Sequence, residues 1–205
     1  LYLQLGLRPD TDERCKMANW TNVTREPETG LPTMLVQAVS IAFVMCVCEL
    51  VSAPVMVSAV GGAFALMPWF LVACLFAVAF VYTVGFVLLW AADSFAARLK
   101  RRDALMPLIY AVIGCVGFGL WGYCVYPATM NSIITRAGLP TLSQGDSLMI
   151  GINCAVVGLA AFFLGTAAMP RVMKSKGRIA VTAAAVIALA VFGGVVLAMT
   201  WSHLA

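Results

Sequence analysis

The sequence predicts an all-α integral membrane bundle of about five transmembrane helices, and three observations carry that expectation. Of 205 residues, 62% are hydrophobic and 11% are charged, against roughly 45–50% and about 25% in an ordinary soluble domain. Uninterrupted apolar runs fill most of the chain after residue 33, and about 20 such residues cross a hydrocarbon layer of about 30 Å as a helix. These runs do not alternate with polar residues as the strands of a lumen-forming barrel would. A helix also satisfies its own backbone in lipid.

Residues 1–33 read as a polar cytoplasmic leader, with Pro9, Pro27, Gly30 and Pro32 and a mixture of acidic and basic side chains. The leader lacks the basic-then-apolar order of a secretory signal peptide. Residues 34–205 read as the bundle, with spans at about 34–57, 68–92, 104–126, 147–169 and 179–201. Gly61, Gly62 and Pro68 divide the long apolar stretch from Met34 to Ala92 into two spans. Charged connections separate spans two and three and spans four and five. The segment 127–146, holding Pro127, Gly138 and Pro140, is expected to be a longer connection.

Orientation follows from the basic residues beside the spans. Arg8, Arg14, Lys16 and Arg25 of the leader fall on one side with Arg98, Lys100, Arg101 and Arg102, and with Arg171, Lys174, Lys176 and Arg178. Arg136 alone falls on the other side, so the positive-inside rule places the N terminus in the cytoplasm and the C terminus outside the cell membrane. Trp69, Trp121, Tyr123, Tyr126 and Trp201 are then expected near the outer interface and Trp90 near the inner one. Two Asn-X-Thr triplets at Asn19 and Asn22 fall on the cytoplasmic side and read as chance matches to the glycosylation pattern.

The net charge of +4 is spent on these topology signals, which argues against a nucleic-acid partner. Cys46, Cys48, Cys74, Cys115 and Cys154 lie within apolar runs and read as small hydrophobes. Cys46 and Cys48, two apart, point to different helix faces and form no CxxC pair. No metal-ligand cluster is visible. The sole histidine, His203, lies outside the expected bundle interior, so no haem is expected, and no phosphate loop, zinc-protease motif or nucleophile elbow occurs. No cofactor is expected.

Helices in lipid associate through small residues that let backbones approach. Span three offers Ala111, Cys115, Gly119 and Gly122. Span four offers Gly151, Ala155, Gly158, Ala161, Gly165 and Ala168, and span five offers Ala190, Gly194 and Ala198. These stripes are expected to pack helices within the chain, the alternative being a contact with a membrane-protein partner or a second copy.

Glu49 is the charged residue inside the predicted spans, and an acidic side chain near a helix centre costs about 2.5–3.5 kcal/mol on insertion scales. It is expected to face the bundle interior with Ala38, Ala42, Met45, Cys46, Ser52, Ala53 and Met56. Asn153, at similar depth on span four, is its expected partner. Pro54, one turn on, opens or kinks the helix nearby.

Three roles compete for Glu49: a protonated carboxyl acting as hydrogen-bonded glue, a proton- or cation-coupling site, and a general acid or base. The first is favoured, and the third is weakened because no second catalytic group is visible. Function is accordingly read as a transport-related or accessory subunit of a membrane complex, non-enzymatic in the favoured reading. The alternatives are an intramembrane enzyme using Glu49 as acid/base and an immunity-type or structural membrane protein.

Overall fold

The computed structural model describes residues 33–60, 68–96, 102–172 and 175–204. Most of the leader, the Gly61–Gly62 turn and several of the basic residues that set the orientation lie outside these segments. Among the described residues the chain is helical and has no strand. The elements are α1 (Thr33–Val60), α2 (Trp69–Phe80), a π-helical stretch (Val81–Gly85), α3 (Phe86–Ala96), α4 (Arg102–Arg136), α5 (Gln144–Val172) and α6 (Lys176–His203).

Among the described residues five helices are long and apolar enough to cross a membrane: Thr33–Ser58, Trp69–Phe95, Met106–Arg136, Gln144–Met169 and Lys176–His203. The second of these is α2 and α3 joined through the π stretch. Thr83 accompanies that irregularity, its hydroxyl donating to the carbonyl of Ala79 at 2.6 Å.

The third helix is longer than the sequence suggests. It continues through Pro127 to Arg136, whereas 127–146 was expected to be a connection. Proline removes one backbone donor, but the apolar period carries on through Tyr126, Met130, Ile133 and Ile134, all buried against the bundle. That burial outweighs one missing hydrogen bond.

The helix then stops for a local reason. Gly138 has φ +72, and its N–H reaches Thr135 O at 3.2 Å while Leu139 N–H reaches Ile134 O at 3.1 Å. This is the paired arrangement of a glycine-terminated helix. Five residues on, Asp146 N–H donates to Ser143 Oγ at 3.1 Å, and Ser143 N–H and Oγ both donate to Asp146 Oδ2, at 3.0 and 2.7 Å. The reciprocal cap fixes the start of α5 and leaves a short turn between α4 and α5.

The α4–α5 hairpin is the most extensive pairing in the bundle; α1 lies against α5, α2 and α6, α2 also meets α6, and α3 lies along α4. Glycine governs the close approaches. A Cβ on Gly158 would strike the carbonyl of Gly114, one on Gly122 would strike Cys154, and one on Gly119 would lie 2.9 Å from the Cβ of Ala155. A Cβ on Gly151 would lie 3.1 Å from the Cβ of Tyr123, and one on Gly165 would lie 2.7 Å from the Ile41 side chain of α1. Ala111 is buried and Cys115 half-buried.

Gly194 is a correction. A Cβ there would meet nothing within 4 Å, whereas one on its neighbour Gly193 would strike the carbonyl of Leu71. The buried face of α6 is Ile179, Val186 and Gly193, so the Ala190–Gly194–Ala198 stripe lies off the contact. Two of the expected interfacial rings are also inside the bundle: Trp69 is 4% exposed and Tyr126 1%. Their position along the span does not fix which face of the helix they occupy. Tyr123, Trp201 and Trp90 are exposed.

Candidate functional site

Glu49 lies on the buried face of α1, where Ala38, Ala42, Met45, Cys46 and Met56 are also buried, and it is itself 3% exposed. Its contact is supplied by α4. The Tyr126 hydroxyl lies 3.2 Å from Glu49 Oε1 and 3.3 Å from the carbonyl oxygen of Ala73 in α2. One phenol therefore joins three helices.

The proton count of this group is informative. A phenol has one proton to donate and lone pairs to accept with. With Glu49 protonated, its O–H donates to the Tyr126 oxygen, and the Tyr126 O–H is free to donate to Ala73. With Glu49 ionised, the phenol's single proton is shared between two acceptors. The three-helix arrangement is complete when the carboxyl carries its proton.

Asn153 is not the partner of the Glu49 carboxyl. Its Nδ2 lies 3.5 Å from Ser52 Oγ, at the limit of a hydrogen bond, and Ser52 Oγ donates to the Glu49 carbonyl oxygen at 3.3 Å. Asn153 thus reaches the backbone of Glu49 through a hydroxyl one turn along. The depth match was sound; the facing of the two helices gave the carboxyl to α4 and not to α5.

Aromatic rings enclose the pair. Tyr126 has Phe76 at 5.0 Å, Trp69 at 5.5 Å and Phe118 at 6.3 Å between ring centroids. Such rings exclude water and fix the phenol by edge and tilted contacts. Beyond them Phe80 touches Phe118 and Trp121. Cys74 Sγ lies 3.8 Å from the Cys46 carbonyl, and Cys154 is packed against Gly122. The described cysteines are free thiols.

Tyr126 was legible in part. It follows Gly119 and Gly122 at helical spacing, and its distance from the outer end of its helix would have been comparable to that of Glu49 had α4 been drawn to its full length. A second polar tie lies nearer the other end of α1, where Gln37 Nε2 donates to Thr166 Oγ1 at 3.2 Å. Among the described residues no group of three or more His, Cys, Asp or Glu is placed to hold a metal ion.

One polar atom breaks the pattern of satisfied groups. Trp121 Nε1 is buried and has no hydrogen-bond partner among the described residues. Trp121 lines a groove of about 600 Å³ between α3 and α4, together with Leu88, Val116, Gly117, Leu120 and Cys124. Compared with protein-family models, with curated proteins and with solved structures, the chain matches none.

Proposed function

We propose that the chain is a non-enzymatic helical subunit of a membrane complex, and that it works by presenting the α3–α4 groove to a partner helix. The observation that carries this reading is the groove itself, about 600 Å³ between α3 and α4 and walled by Leu88, Ile113, Val116, Leu120 and Val125, which an apolar partner helix can fill. Val116 and Leu120, exposed to 57% and 62%, give such a helix an apolar bed.

Glu49 has a supporting role in this proposal. Its carboxyl, the Tyr126 phenol and the Ala73 carbonyl tie α1, α4 and α2 together, which holds the surface of α4 in place. A coupling role in transport is the second reading. It is favoured by the same short relay of exchangeable protons, set within a turn or so of Pro54.

Purification of the full chain from its native membrane in mild detergent, followed by mass measurement, tests the subunit proposal. A stable complex with a second membrane protein is expected, and Val116→Trp or Leu120→Trp, which fill the groove from exposed positions, should release the chain by itself. Wild-type protein that runs as a lone monomer or a homo-oligomer would sink the proposal.

The same proposal places the leader in the cytoplasm, on the count of basic residues around the spans. A reporter active only in the cytoplasm should work when fused after Arg102 or Lys176 and fail after Gly138 or Ala205. Activity after Gly138 would reverse the orientation.

A further inference from the structure

Helices α4 and α6 run parallel and finish together at the end of the bundle opposite Arg102 and Lys176. Between their ends lies a cavity of about 350 Å³ lined by Ala137, Val196, Met199, Thr200, His203 and Leu204. Arg136, which precedes Ala137, has its guanidinium carbon 4.0 Å from the centre of the Trp201 ring. The stacking holds a permanent cation one residue from the cavity-lining Ala137, where both apolar spans end.

The carboxylate nearest in sequence does not claim that cation. Asp146 Oδ2 is taken by the N–H and hydroxyl of Ser143, and the Thr200 hydroxyl donates to Val196 O at 2.9 Å. The guanidinium retains donors after stacking. The cavity therefore has an apolar wall and the His203 imidazole, with a cation one residue from its wall that is not neutralised by Asp146.

We propose that this end of the bundle binds a phospholipid, with the phosphodiester on Arg136 and an acyl chain in the cavity against Val196 and Met199. Both helices end here in carbonyls, which disfavour an anion. The phosphate must consequently be held by the Arg136 side chain, and binding depends on that one residue.

Native mass spectrometry of the purified chain tests the proposal, with phosphatidylglycerol, phosphatidylethanolamine, diacylglycerol and inorganic phosphate as probes. Both phospholipids should be retained, and diacylglycerol about tenfold less, as expected for loss of a charge-assisted contact. Arg136→Gln should lower phospholipid retention to the diacylglycerol level with unchanged elution and thermal midpoint. Val196→Trp, which fills the cavity away from the cation, should lower it as well. Equal retention of diacylglycerol, unchanged retention in both variants, or displacement of lipid by inorganic phosphate would overturn the proposal.

Discussion

The α4–α5 seam and the α6 flank carry similar stripes of small residues but use them differently. In the most apolar stretch of each span, 44% of α5 is buried and 17% of α6. On α5 the glycines meet backbone and side chains of two other helices, α4 through Gly151 and Gly158 and α1 through Gly165. On α6 only one glycine, Gly193, meets a neighbour, and Val181, Ile187, Val191 and Phe192 are exposed. In water such a face would be driven inward. In lipid it has no such drive, because hydrocarbon is as apolar as the helix. Small residues are thus evidence of packing only where a partner's facing surface matches them.

The largest effect is expected where that comparison is sharpest. Gly158→Leu forces a side chain into the carbonyl of Gly114 and the Cβ of Phe118, and overpacking of this kind costs about 1–3 kcal/mol or more. Gly194→Leu enters open space. Folded yield in detergent should fall severalfold for the first and stay near wild type for the second, with Phe163→Leu, at a 42% exposed position, also near wild type. Equal tolerance of Gly158→Leu and Gly194→Leu would erase the distinction between the two regions.

The number and order of spans were legible because hydrocarbon thickness and backbone satisfaction leave a chain of this composition few alternatives. Four of the five predicted spans lie within three residues of the helices found. The third failed at Pro127, where a breaker was weighed without the buried face of Tyr126, Met130 and Ile133 that sustains the helix. The site was legible to the extent that Glu49 cannot face lipid cheaply. Its partner was not, because rotation of a helix about its own axis is set by packing, and apolarity on every face leaves no moment to read. The same blindness put Gly194 in place of Gly193. The cap formed by Ser143 and Asp146 is, by contrast, a local signal present in the sequence.

A smaller effect is expected at the polar tie, and it separates the two readings of Glu49. Tyr126→Phe keeps the ring among Phe76, Trp69 and Phe118 but removes the hydroxyl that reaches Glu49 and Ala73. The loss of buried hydrogen bonds costs about 1–3 kcal/mol, so thermal denaturation in detergent should start several degrees lower. Glu49→Gln keeps a side chain of the same size with both an acceptor and a donor. It should unfold close to wild type, because the amide can donate to the phenol oxygen while the phenol donates to Ala73. Glu49→Leu cannot, and it should resemble Tyr126→Phe. If the carboxyl serves as a tie, assembly with the partner follows this same order of stability and shows no titration that the glutamine variant lacks. A glutamine variant that folds as wild type yet loses a pH-dependent activity would instead assign Glu49 to proton coupling. Stability unchanged in both Tyr126→Phe and Glu49→Leu would mean that the three helices are held by packing alone, and the polar tie would then join the α6 stripe as a pattern without a mechanical role.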